Sequence, residues 1–246
     1  NNLFGLVKFY KAATARGIKP IVACDVWVED LDPTIEPSLL VLIAQRQAGY
    51  KALSRLLSRG YSENHHNGRM ILKRSWIQAD SEGLLALSAA ADGDVGKAIV
   101  SGQLAEASRR AVFWQELFPE GYYLEIQRLD RANDEHHIAG AVQLSDELGL
   151  PLVATNDVRF LKADEFEAHE VRVCIHQGRT LDDPRREKHY SQAQYFKSAD
   201  EMAQLFSDLP EAVENTHRIA TRCSVTLRLG ESFLPEYPVP DGQTMA

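Results

Sequence analysis

The sequence predicts an α/β fold, a mainly parallel sheet wrapped by helices as a barrel or a doubly wound sheet, and three observations carry that prediction. Apolar runs of strand length alternate with helix-period segments from Leu3 to Thr155. After Asp164 the strand-like runs stop and only helical and polar segments follow. A chain of 246 residues with 44% hydrophobic content buries a large core, as one large domain or two smaller ones.

Leu3, Leu6, Val7 and Tyr10 fall at helical spacing within residues 3–16, and Gly17 follows as a stop. Residues 19–28 read as a buried strand, 39–44 as a second, and 49–57 begin an amphipathic helix. The polar stretch 62–69 reads as a loop, 83–88 as a strand, and 94–117 as one or two helices interrupted near Gly102. A strand over 122–126 precedes a helix over 134–148 that Gly149 ends, and 151–155 is a further strand. Such alternation builds βα units and a sheet whose strands run largely one way. A helix follows to about His176, then a polar loop through Lys188. Ser198 and Glu201 have capping-box spacing, so a helix opens there and ends near Pro210; a last helix covers 211–223.

Net charge −8 with a pI near 5.5 argues against a general electrostatic grip on nucleic acid, which needs a basic face. Cys24, Cys174 and Cys223 form no CxxC or CxH spacing and are expected as buried, reduced thiols of a cytosolic protein. No run reaches the length of a membrane span and no charged-then-apolar leader is present, which points to a soluble cytoplasmic protein. The chain opens on Asn1 without Met and its end from Pro238 reads as linker, so both ends are expected to be cut from something longer.

The segment Leu152-Val-Ala-Thr-Asn-Asp-Val-Arg-Phe160 carries the sharpest signal. An apolar strand ending in Asn156 and Asp157 delivers polar groups to the carboxyl edge of a sheet, where α/β proteins place their chemistry. Asp25, Glu125 and Asp157 each close or follow an apolar strand, and a barrel gathers such acids at one mouth. Three converging carboxylates suit a hard metal ion that activates water; solvated strand-end acids are the other reading. Arg159 stands two residues past Asp157, where a second ligand would suit a metal, and its cation repels one.

The histidines are poorly placed to help. His65, His66, His136, His137 and His189 read as surface residues, and His169 and His176 lie seven apart on one helix, at a packing seam or interface. Asp92-Gly-Asp-Val-Gly96 sits where an anion meets a helix start, yet its acids repel phosphate and it lacks the Lys and Ser/Thr of a phosphate loop, so a tight strand-to-helix turn is expected. No GxSxG elbow, Walker motif or GxGxxG occurs. Of the basic clusters, Arg109-Arg110 and Arg185-Arg186-Glu187-Lys188, the second offers Arg185, Arg186 and Lys188 as candidate phosphate contacts or as a solvated loop.

Nine strings recur in order along the chain: Gly5-Leu-Val-Lys-Phe-Tyr10, Gly17-Ile-Lys-Pro-Ile-Val22, Gly49-Tyr50, Gly93-Asp-Val-Gly96, Val153-Ala-Thr-Asn-Asp-Val158, Ala168-His-Glu-Val171, Thr180-Leu-Asp-Asp-Pro184, Glu201-Met202 and Phe233-Leu-Pro235. Together they resemble the N-terminal PHP (polymerase and histidinol phosphatase) domains of bacterial replicative DNA polymerase III alpha subunits. The resemblance implies a distorted (β/α) barrel lacking its first strands over 1–176, a C-terminal helical extension packed on it over 177–232, and a linker toward palm and thumb over 233–246. Loss of opening strands exposes a sheet edge, so aggregation of the isolated piece is expected.

In metal-bearing relatives the barrel mouth holds divalent ions on histidines, acids and a cysteine. The first of those ligands would lie upstream of Asn1. Of the later ones, the family's Glu is Asp25, its His is Leu39, its Cys is Ala90, its Asp is kept as Asp157 and its final His is Arg159. Losing imidazole and thiolate donors and gaining a guanidinium costs more affinity than two carboxylates recover. The resemblance therefore implies a metal-free scaffold in which Arg159 pairs with Asp157 or Asp25, with Glu125 and Asn156 as vestigial support. It also implies docking of a proofreading exonuclease subunit. Polymerase chemistry, nucleotidyl transfer with Mg2+, would belong to palm carboxylates downstream of Ala246, and DNA would be met through the whole polymerase. The rival reading is a metal-dependent phosphoesterase, a 3′–5′ nuclease or a pyrophosphatase; a free-standing PHP phosphatase is a third.

Overall fold

The computed structural model describes residues 2–66 and 68–232. The sequence-predicted linker over 233–246 lies outside the described residues. The elements are α1 (Leu6–Thr14), β1 (Ala23–Val28), β2 (Ser38–Ala44), α2 (Gln47–Glu63), β3 (His65–His66), β4 (Arg69–Leu72), α3 (Arg74–Ala79), β5 (Leu84–Leu87), α4 (Asp94–Val100), α5 (Leu104–Leu117), β6 (Tyr122–Gln127), α6 (Asp134–Leu148), β7 (Leu152–Thr155), α7 (Phe166–Gln177), α8 (Ala199–Leu205) and α9 (Pro210–Arg222). The fold is α/β of the PHP barrel type, with a sheet that does not close among the described residues.

The strand order is β3-β4-β1-β2-β5-β6-β7. Pairing is parallel for β1/β4, β5/β6 and β6/β7 and antiparallel for β1/β2, β2/β5 and β3/β4, so the sheet is mixed where the sequence suggested a mainly parallel one. The reason is the short connection from Val28 to Ser38: it reverses the chain but has no room for the crossover that a parallel neighbour requires. A second correction concerns 62–69, read as a loop. There α2 continues to Glu63, and a small hairpin of β3 and β4 follows, with β4 paired to β1 through Trp27 opposite Ile71. Its strand run, Arg69-Met-Ile-Leu72, is too short and too flanked by polar residues to announce itself.

Alternation along the strands sorts residues between two faces. Leu40, Leu42 and Ala44 of β2 join the main core with Leu53, Leu56, Ile99, Trp114 and Ile138 from the helices. Ile43, Leu85, Leu87, Tyr123 and Val153 point to the other face and pack on Ile219 of α9 and on Cys223 just after it. Asn215 of α9 also donates to the carbonyl of Leu152 at 2.7 Å, tying that helix to β7. Phe206, Ala212 and Val225, beyond α7, are buried in the main core. The predicted capping box is present: Ser198 accepts from the Glu201 amide, and its own amide donates to the Glu201 carboxylate at 2.7 Å.

Candidate functional site

The strand alternation that sends Val41, Leu87 and Glu125 to the α9 side also builds a pocket there. Asp25 lies opposite Val41, which lies opposite Leu87, while Glu125 and Gln127 of β6 run beside Val153 and Thr155 of β7. The cavity is about 280 Å3 and is lined by Asp25, Leu39, Val41, Leu87, Ala89, Asp92, Glu125, Gln127, Thr155, Asn156, Asp157, Val158 and Arg159. The three strand-end acids predicted to converge do share one mouth. Leu39, Asn156 and Arg159 join them; Ala90 is buried without lining the cavity, and its neighbour Ala89 takes that place.

Asp157 is held from several sides. Arg159 Nη2 lies 2.7 Å from its Oδ1 and 2.8 Å from its Oδ2, and Nε reaches Oδ2 at 3.1 Å. Gln194 Nε2 donates to Oδ2 at 2.7 Å, and Arg131 stands 3.6 Å from Asp157 and 3.6 Å from Asp92. The Arg159 guanidinium also lies 5.4 Å from the ring centroid of Tyr190. Partial burial disfavours the charge on Arg159, but the charge and hydrogen bonds of Asp157 outweigh that, and its pKa rises.

Glu125 is buried at 5% exposure. Its Oε1 accepts from Thr155 Oγ1 and from Gln127 Nε2 at 3.2 Å, whereas its Oε2 has no hydrogen-bond partner among the described residues. Burial raises its pKa to about 7 against the pull of those hydrogen bonds, and the nearby charges of Asp25 and Asp157 push the same way. Burial also raises Asp25, with Asp157 adding to the effect and Arg159 opposing it.

A zinc-like ion held on imidazole and thiolate, as in the metal-bearing members of the fold family, does not fit these donors. The lining contains carboxylates, amides and a hydroxyl but neither imidazole nor thiol, and both oxygens of Asp157 are engaged by a fixed cation. Among the described residues no group of three His, Cys, Asp or Glu is arranged to hold a metal.

Outside the pocket, Arg186 turns inward to pair with Glu170 of α7, its side chain 7% exposed, and Arg185 pairs with Asp183 at 3.0 Å. Of the candidate phosphate contacts, Arg185 and Lys188 remain exposed. His137, read as a surface residue, is buried, and burial lowers its pKa to about 4. His169 packs between Phe160 and Tyr190, at the expected seam, while His176 is exposed. The turn before α4 is structural: Gly93 and Gly96 pass so near the Ser88 and Ala90 carbonyls that a Cβ would sit 1.7 Å and 1.8 Å from those oxygens. Asp94 within it is buried, bonded to Arg74 at 2.8 Å and to the Trp114 indole at 3.0 Å. Cys24, Cys174 and Cys223 are buried free thiols.

Sequence reasoning missed Arg131, Gln194 and Tyr190. Gln194 reaches Asp157 because Tyr195 forms a parallel bridge with Phe160, a pairing across the chain that no local pattern announces.

The chain is 53% identical over 245 residues to the DNA polymerase III subunit alpha of Pseudomonas fluorescens, covering all of this chain and 21% of that protein. It is 52% identical over 242 residues to its counterpart in Pseudomonas aeruginosa and 45% identical over 243 residues to that of Escherichia coli strain K12, covering 98% and 99% of this chain and 21% of each relative. The chain thus spans about a fifth of the length of the curated relatives it matches. A PHP domain family model matches residues 1–129, and with this fold and this mouth the chain belongs to the PHP domain family.

Proposed function

We propose that this chain is the PHP portion of a DNA polymerase III alpha subunit, and that the domain serves it as a metal-free structural scaffold and as a docking site for a proofreading exonuclease subunit. The observation that carries the scaffold reading is the Asp157 and Arg159 pair, in which a guanidinium neutralises the carboxylate at the centre of the acid-lined mouth. A guanidinium keeps its proton throughout the physiological range, so the site cannot be cleared for a metal by a change of pH. Burial also draws Glu125 toward its neutral form, with a pKa of about 7.

Nucleotidyl transfer with Mg2+ is assigned to the larger remainder of the polymerase, outside this chain, as are most contacts with DNA. The net charge of −8 suits that division. A cytoplasmic location belongs to the reading of the chain as part of a replicative polymerase. Among the described residues no helix is long and apolar enough to cross a membrane. The reading is tested with the full-length subunit on a labelled primer-template. Primer extension with Mg2+ is expected, with no 3′ excision in Mn2+ or Zn2+. Metal-dependent excision abolished by Asp25→Ala overturns the scaffold in favour of a phosphoesterase. Docking is tested by co-elution of the subunit with its exonuclease partner on gel filtration; separate elution at micromolar concentrations counts against it.

A further inference from the structure

A second concave surface shares no lining residue with the acid-lined mouth. Helix α1 buries Leu6 and Ala13, yet Phe4 just before it is 84% exposed, Phe9 55%, and Val7 also stands in solvent. Ile18, just past the helix, is exposed as well, and Phe4 stacks on the exposed Tyr61 of α2 at 6.2 Å between ring centroids. Exposed apolar side chains concentrated in so short a stretch mark a surface that another polypeptide covers.

Val7 opens into a groove of about 710 Å3 whose other walls are Gln47, Tyr50 and Lys51 of α2 and the residues Thr226, Leu227, Arg228 and Leu229 that follow α9. That third wall belongs to the segment leading to Ser232, the last described residue, so the groove is built partly from the stretch through which the domain continues in sequence. Its surroundings are basic: α1 contributes Lys8 and Lys11 and has no acid, and Lys51 and Arg228 line the groove itself. An occupant that is apolar with acidic side chains beside its anchors fits both features. Most of the length of the alpha subunits that the chain matches lies outside the matched part, 21% being covered.

We propose that this groove seats the larger, C-terminal remainder of the same full-length polypeptide, through a segment of apolar and acidic side chains. The α1 face would then be where the domain is fastened to the polymerase body. The inference rests on the reading of the chain as one part of an alpha subunit, and deepens it by naming the surface.

The test is site-specific photo-crosslinking in the full-length subunit, with p-benzoylphenylalanine at Val7 or, in a second protein, at Leu229, and with the exposed Leu31 as control. Preparations that retain primer extension are irradiated and cross-linked peptides mapped by mass spectrometry. The proposal expects Val7 and Leu229 to link to peptides C-terminal to Ser232 within the same chain, at yields at least tenfold above those from Leu31. Links only to sequence upstream of Asn1, links to a second protein, or yields equal to the control overturn it. Metal-dependent excision by the same preparation sinks the scaffold reading and leaves the cross-link map standing, so the two failures are told apart.

Discussion

The guanidinium of Arg159 grips the carboxylate of Asp157 with Nη2 2.7 Å from Oδ1 and Nε 3.1 Å from Oδ2, two residues apart at the end of β7. The pair stands in a mouth shared by Asp25 and Glu125, so Arg159 does for this cluster of acids what a metal ion does elsewhere: it supplies a positive charge. Being covalently attached, it is present at any metal concentration.

Arg159→Ala leaves Asp157 with Gln194 and the more distant Arg131 and lowers stability by about 1 kcal/mol, a modest figure because the pair is partly solvated. Arg159→Lys recovers only part of the loss, since an ammonium cannot fork across the Asp157 carboxylate as a guanidinium does. Thermal unfolding of the full-length chain reads both. An unchanged melting temperature in Arg159→Ala removes the pair from the account.

Glu125 gives the domain a pH dependence with a definite sign. Its folded pKa, about 7, lies above the ordinary 4.5, so the folded state holds the proton more tightly than the unfolded state. Its contribution is fully present below pH 4.5, declines as pH rises, and is lost by about pH 7. Glu125→Gln keeps an uncharged group in the same place and should stabilise the domain at pH 8 by on the order of 3 kcal/mol while flattening the profile between pH 5 and 7. Denaturant titrations of both proteins at pH 5 and pH 8 check this; parallel profiles contradict it.

Asp94 tests the turn before α4. Its carboxylate is buried against Arg74 and Trp114, so Asp94→Ala strands a buried guanidinium and costs roughly 3–5 kcal/mol. Gly93→Ala is expected to be damaging as well, because its Cβ meets the Ser88 carbonyl. If Asp94→Ala leaves stability intact while altering phosphate affinity, the turn is a binding loop and the structural reading fails.

Much of this was legible in the sequence where a local signal existed. The helix over Asp134–Leu148 ends at Gly149 with φ 66°, the left-handed residue that stops a helix, and Ser198 with Glu201 announced α8 three residues apart. The convergence of Asp25, Glu125 and Asp157 followed from strands ending in acids. What stayed hidden depended on pairing between distant residues. The reversed β2, the four-residue β4, and the arrival of Gln194 and Arg131 at Asp157 are set by sheet register and loop packing. The burial of Arg186 was equally unreadable, because a charged loop looks the same whether or not one of its arginines finds Glu170.

Metal content tests the central claim most directly: the full-length subunit is purified without chelators and analysed by elemental mass spectrometry for zinc, manganese and iron. The account predicts far less than one ion per chain in the wild type, and no gain in Arg159→His, because Leu39 and Ala89 still offer no donor. One or more ions per wild-type chain, lost in Asp25→Ala, would contradict it and show that the mouth remains a metal site despite Arg159.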